Sequence, residues 1–510
     1  MNELREQQGL LFQMGDGEAA LAGVSETTPM AGALEDGVLR IPAAVGGLPV
    51  RRIEERALWG AGEMLHAIIV PPGVREIGDL AFIMNGGLAS VELPEGLCVL
   101  GSGIVDLTLV EELSLPSTIR EIKEPYTYNG IHLAVAAENP FWKSDGRGLY
   151  QKKADEAGTG SLVLRGLHLE AGVSVYQVKE GTWRIGPHAL DENDDLQALH
   201  LPDGLREIGD FAFSGCDRLN DLKLPESLET LGEEPFHSCE SLHRLRLPRH
   251  LLHAGRHAFT DTFNWLRNNH GLCDLQVEED NPVFYVENGS LMEQRGKDTV
   301  LLKYLETESV YDIPAGTTSI DALAFLRSDV TDLGIPSSVI HIGTDAFCGM
   351  ERIRIMRIEQ DHTILYIPQE PAFRKEEILE GFYDRAQTFR DAVWHYDYEA
   401  YDAAFTSYYY TADKVRMACG RLLAPCDLSQ EAESIYLSWL TEHLDEIARD
   451  LAGAGDREGL QILLQVGIVD ADTVDRVVES VARCGQPDLL SWIMEEKQER
   501  FGVHEIDFSL

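Results

Sequence analysis

Three imidazoles fall close together in the stretch RHLLHAGRHAF, at His250, His253 and His257. Histidines in a row suggest a metal, but a metal site needs ligands that converge and partners that hold them. On the repeat described below, the three align with Gly204, Glu207 and Phe211, which fall on different parts of a coil. The stretch DENDD, Asp191–Asp195, has carboxylates suited to calcium. It lacks the D-x-D-x-D-G geometry and a closing bidentate Glu, and reads as a solvated loop. GAGDREG, Gly453–Gly459, has the glycines of a dinucleotide loop with the wrong spacing and no preceding strand, so it reads as the turn of a helical hairpin. Asn288-Gly289-Ser290 would accept a glycan only in a secretory setting. No nucleophile elbow, Walker loop, HExxH or kinase signature occurs. The sequence therefore predicts no catalytic, cofactor-binding or metal-ligating residue, and no cofactor. An enzyme would need a dispersed site between the two parts of the chain described next.

The elements that place these residues are set by a repeat. LPDGLREIGDFAFSGC, from Leu201, returns 23 residues later as LPESLETLGEEPFHSC, from Leu224. Short apolar strands end in Val-Pro, Leu-Pro or Ile-Pro at Pro71, Pro94, Pro116, Pro202, Pro225, Pro248, Pro314 and Pro336. A fixed period of this length is a solenoid signature, because one coil cannot bury its own apolar edge and its neighbours must. Leu-x-Leu alternation gives a strand with one buried face. Proline then lacks the N–H to extend the ladder and turns the chain. Stacking predicts one column of Phe213, Phe236 and Phe259, and another of Phe325 and Phe347. Two stretches, from Glu138 and from Glu279, interrupt the count. Each has Asn-Pro, an aromatic, a glycine before an apolar pair and a polar turn, and reads as an inserted β-hairpin.

With these motifs the chain resembles the BspA-type bacterial leucine-rich repeats. The likeness rests on I-G-x-x-A-F at Ile208–Phe213 and Ile342–Phe347, on Ser214-Gly215-Cys216, and on the two Asn-Pro hairpins. It covers about residues 9–360. The opening residues look like that family's N-terminal β-cap. Leu58 and Leu190 stand where the motif has Phe, and Gly103-Ile104 blurs the third coil. The resemblance implies a bacterial repeat solenoid of one strand and short turns per coil, with adhesion among the family's roles when exported.

After about Ile358 the period stops. YIPQEP, Tyr366–Pro371, reads as a linker, and the rest has helical spacing of apolar residues. Aromatic residues from Phe382 to Tyr410 read as helix–helix core. GDREGLQILL, from Gly455, resembles GQPDLLSWIM, from Gly485, and looks like degenerate ankyrin-type helix pairs at about 441–500. The expected organisation is a β-cap over 1–40 and a leucine-rich repeat solenoid over 41–360. The hairpin insertions fall at about 138–177 and 279–312, a linker at 361–375 and an α-helical domain at 376–510.

Charge narrows the function. The 510 residues hold 43 Lys and Arg against 86 Asp and Glu, a net −43. That excludes nucleic acid, whose binding needs a basic surface. No run of about 18 apolar residues predicts a membrane span. The N-terminal residues show no basic leader with an apolar run, so the expected location is cytoplasmic, with all eight cysteines reduced. On each strand the residues flanking the penultimate apolar position point away from the core. Among these, His200, Lys223, Arg244 and Arg246 form a basic run on an acidic chain. The expected function is a non-enzymatic protein-binding scaffold, with this ladder taking an acidic or mixed-charge protein segment and the helical region as a second protein-binding module. An adhesin exported by an unrecognised route, or an enzyme with a dispersed site, is the alternative.

Overall fold

Each coil is held by contacts that its sequence repeats. In the coil from Leu201, Pro202, Leu205, Ile208, Ala212, Phe213 and Cys216 are buried, and their successors Pro225, Leu228, Leu231, Phe236 and Cys239 are buried in the same order. Phe213 and Phe236 stack with centroids 5.5 Å apart and planes 4° from parallel. Phe325 meets Phe347 at 5.6 Å. Phe259 meets the ring of Phe284 edge-on at 6.0 Å. Leu58 and Leu190, which replace Phe, are fully buried, as is Ile104 in the coil that the sequence blurred.

The glycine of the I-G pair has a steric cause. A side chain on Gly232 would lie 2.5 Å from Gly209 C and Asp210 N, and one on Gly255 would lie 2.5 Å from Gly232 C. Successive coils thus touch backbone to backbone along Gly209, Gly232 and Gly255, an approach that only a residue without Cβ permits. A second column runs through the cysteines. Cys216 Sγ donates to Leu190 O at 3.2 Å and Cys239 Sγ to Phe213 O at 3.1 Å. Asn193 holds the same place one coil earlier, its Nδ2 donating to Leu190 O at 3.0 Å. DENDD is therefore not simply a solvated loop, because its central Asn is buried and pins the coil.

The structure is a computed structural model that describes residues 3–15, 17–25, 33–125, 130–153, 161–260, 274–369, 378–384, 394–406 and 412–502. It divides into two units, Met1–Phe284 and Tyr285–Leu510. Unit 1 opens with an antiparallel meander of Glu3–Gln7, Leu10–Met14 and Ala19–Val24. The third strand pairs in parallel with Leu48–Ile53, which starts the coil sheet. Parallel ladders follow, for example Glu207–Ile208, Thr230–Leu231 and His253–Ala254.

Both insertions begin on an asparagine, buried at Asn139 and half-buried at Asn281. Asn139 Nδ2 donates to Pro116 O and Ile119 O, while its Oδ1 accepts from Phe141 N and Trp142 N. Asn281 repeats all four bonds with Pro248, Leu251, Val283 and Phe284. The first insertion is antiparallel through Trp142–Ser144, Gly148–Lys153 and Ser161–Leu167. In unit 2, Ser290–Arg295 pairs antiparallel with Asp298–Tyr304, which rejoins the coils beside Ser319–Ile320. A hydroxyl pair closes each insertion: Tyr150 with Tyr176, and Ser290 with Tyr311, both 2.5 Å apart.

The end of the coil array in unit 2 departs from the sequence reading. Thr363–Tyr366, within the stretch read as a linker, turns back and pairs antiparallel with Ile355–Ile358. Phe382–Asp384 and Trp394–Tyr396 form a hairpin rather than helix. Phe382 packs on Phe347 at 4.9 Å, and Trp394 Nε1 donates to Val339 O at 2.7 Å, so aromatic rings close the last coil. Trp394, Tyr396, Tyr398, Tyr401 and Phe405 are all core. Tyr408, Tyr409 and Tyr410 lie outside the described residues. Seven helices follow among those residues: α1 Tyr398–Phe405, α2 Ala412–Leu423, α3 Gln430–Glu442, α4 Leu444–Gly453, α5 Arg457–Gln465, α6 Val474–Arg483 and α7 Pro487–Phe501. Gly455-Asp456 is the turn between α4 and α5, where Asp456 caps α5 by accepting from Gly459 N. Helix α4 packs on α6, and α6 on α7.

Candidate protein-binding ladder

The four basic ladder residues sit on strands whose alternate residues are buried. Leu199, Leu222 and Leu245 face the core, which leaves His200, Lys223, Arg244 and Arg246 exposed. Parallel register stacks Gln177 on His200, and Ala198 on Asp221. Arg244 stacks on Asp274 and Arg246 on Gln276. Hydrogen bonding divides the run, however. His200 belongs to a sheet that ends at Asp221–Leu222, with Lys223 just beyond it, while Arg244–Leu247 pairs only with Asp274–Val277 in a separate sheet.

His200 and Lys223 border a surface depression of about 460 Å³ with Asp203, Asp221, Glu226 and Pro225. Its two cationic-type side chains face three carboxylates, so it suits a mixed-charge segment better than a purely acidic one. Arg244 and Arg246 are paired within the coil stack. Arg244 Nε is 2.5 Å from Asp274 Oδ2, and Arg246 Nε is 2.7 Å from Glu278 Oε1. The Arg244 hydrogen bond, then that of Gln276, holds the Asp274 carboxyl below its ordinary range. Both arginine side chains remain well exposed, at 77% and 64%. Among the described residues, Arg244 bonds Asp274 through Nε. A guanidinium held by one edge can still fork a carboxylate with the other.

Asp274 occupies the ladder place of Arg244 itself, one coil on. Farther along, unit 2 repeats the device, with Arg357 held between Asp312 at 2.7 Å and Asp332 at 2.8 Å. The sequence did not show this triplet as a group, because its members come from three coils.

The three histidines that suggested a metal do not converge. His250 Nδ1 is 2.7 Å from Glu226 O, His253 lies on the exposed strand edge, and His257 Nδ1 is 3.2 Å from Glu234. Among the described residues no group of three metal-ligating side chains forms. No helix there is long and apolar enough to cross a membrane.

A family model described as BspA type leucine rich repeat region, in 6 copies, matches residues 49–134, 174–270 and 304–382, about half of the chain. The chain belongs to the BspA-type leucine-rich repeats. The chain is also similar to solved bacterial structures. The pneumococcal vaccine antigen PcpA is 16% identical, over 68% of this chain and 94% of that one, with a TM-score of 0.41. A leucine-rich repeat protein from Eubacterium ventriosum is 14% identical over 67% and 93%, at 0.41. One from Bacteroides ovatus is 16% identical over 68% and 92%, at 0.40. No curated protein is matched.

Proposed function

We propose that this BspA-type repeat protein is a non-enzymatic scaffold, working in the cytoplasm, that holds a protein partner on its exposed strand ladder. The observation that carries the reading is the exposure of Arg244 and Arg246, each engaged by a carboxylate yet well exposed, on a chain of net −43. His200 and Lys223 line a depression beside the carboxylates of Asp203, Asp221 and Glu226. The partner segment carries carboxylates for the arginines and mixed charge for the depression. Because the coil stack fixes the ladder before binding, little conformational freedom is lost on association. Cross-linking in the native cell identifies the partner. The pair Arg244→Glu and Arg246→Glu then weakens that complex at least tenfold, and the wild-type complex weakens with added salt. An unchanged complex removes the ladder reading. Antibody labelling of intact cells checks the location, since surface signal places the protein outside.

A further inference from the structure

Unit 1 carries an apolar surface that the ladder does not use. Trp59, Met64, Met84, Leu107 and Leu109 are each more than half exposed, on three successive coils. Backbone bonds set their stacking: Gly60 N to Ile83 O at 3.1 Å, Phe82 N to Ile104 O at 2.9 Å, and Met84 N to Asp106 O at 3.2 Å. Met84 and Leu107 both have left-handed φ, 61° and 55°, and so hold the same place in their coils. Trp59 joins them, its Nε1 3.0 Å from Met84 Sδ. These three make one row. Met64 and Leu109 make a second, with Gly87 between them in sequence order. A side chain on Gly87 would strike the carbonyls of Glu63 and Leu65, so the second row has no gap between coils. At Gly60, Gly62 and Gly86 a side chain would meet open space. In chain order Gly62 and Gly86 fall between the two rows, so the strip there, called the trough, has apolar residues on either side and uncovered backbone.

Contiguous exposed apolar groups of this kind mark interaction sites, and Trp and Met are favoured anchors. The charges around the trough choose the occupant. In sequence, exposed Glu63 and Glu111 adjoin the second row, and exposed Glu55 precedes the first. The basic neighbour, Arg56, lies over the Trp59 ring at 5.0 Å and 3.6 Å from Glu55. We infer that this trough docks a basic amphipathic segment of a partner protein, its apolar side chains between the rows and its Lys and Arg on the rim carboxylates. A second copy of this chain would bring two acidic rims together, and an anionic lipid surface would repel them. The surface is separate from the ladder, so the two readings fail independently.

The probe is a synthetic Lys/Leu amphipathic peptide, compared with its Glu/Leu counterpart, on the full-length protein by calorimetry. Met84→Ser with Leu107→Ser removes anchors without changing charge, and both sites are exposed, so melting stays at the wild-type temperature. The Lys/Leu peptide binds the wild type and loses at least tenfold in affinity on the double variant. Glu63→Gln with Glu111→Gln weakens it too and flattens its salt dependence. Equal affinity for wild type and double variant overturns the inference, as does equal binding of the Glu/Leu peptide. Self-association, or binding to neutral vesicles, that the double variant abolishes reassigns the trough to a second copy or to lipid and overturns it as well.

Discussion

Asp402 and Arg421 are the most deeply placed ion pair described in unit 2. The guanidinium is fully buried, donates to both carboxylate oxygens at 2.7 and 2.9 Å, and lies 4.4 Å from the centre of the Tyr398 ring. Tyr436 OH adds a bond to Asp402 at 2.7 Å. Removing one partner leaves the other charge buried and unpaired, so Asp402→Ala lowers stability by ~3–5 kcal/mol. Tyr436→Phe lowers it by about 1 kcal/mol. Urea unfolding followed by far-ultraviolet dichroism measures both. A second residue-scale effect concerns the closures of the insertions. Burial pushes the Tyr150 and Tyr311 phenols up to about 12, from an unfolded value near 10. The fold holds the neutral phenols. Their contribution is therefore complete below pH of about 10 and is lost as pH climbs through about 12. Tyr150→Phe with Tyr311→Phe shows a shallower fall of stability across that window in an alkaline melting series.

At the scale of elements, each insertion hangs on one asparagine. Asn281→Ala removes four hydrogen bonds at once, two of them to coil carbonyls and two from hairpin N–H groups. The start of the insertion at Val283–Phe284 then opens locally, with at least tenfold faster amide exchange there than in the coil at Leu231. Gly232→Ala acts on the coil contact instead. Its methyl meets the backbone of the preceding coil, and overpacking lowers stability by ~1–3 kcal/mol in the same urea assay. Asn-Pro-x-Phe announced the hairpins in the sequence, and I-G announced the coil turn. What the motifs did not disclose was the cause, because the carbonyls and backbone concerned come from a neighbouring coil. The hairpin of Phe382–Asp384 and Trp394–Tyr396 was illegible for another reason. Its aromatics suit a helix core and a strand equally, and only their packing on Phe347 and Val339 decides between them.

For the molecule as a whole, the coil array within each unit is a chain of nearest-neighbour contacts. Leu222, inward on its strand and 8% exposed, sits in the middle of such a run in unit 1. Leu222→Asp buries a carboxylate among apolar neighbours and uncouples the coils on either side. Limited proteolysis then cuts near residues 217–227, and continued resistance there contradicts the nearest-neighbour account. The array was legible in the sequence because Phe213 and Phe236, or Leu228 and Leu231 with their forerunners, recur at one period. The ladder was legible as exposed positions but not as paired ones, since Arg244 meets Asp274 from 30 residues away. The glycine column has one more consequence. Where Gly209, Gly232 and Gly255 abut, every junction offers the next coil the same bare docking edge, whichever coil comes next. Residues 201–223 are then an interchangeable cassette. Duplicating them in tandem yields a longer protein with one extra turn and an unbroken melting transition, so lineages of such proteins can grow or shrink by whole turns without redesigning a single seam.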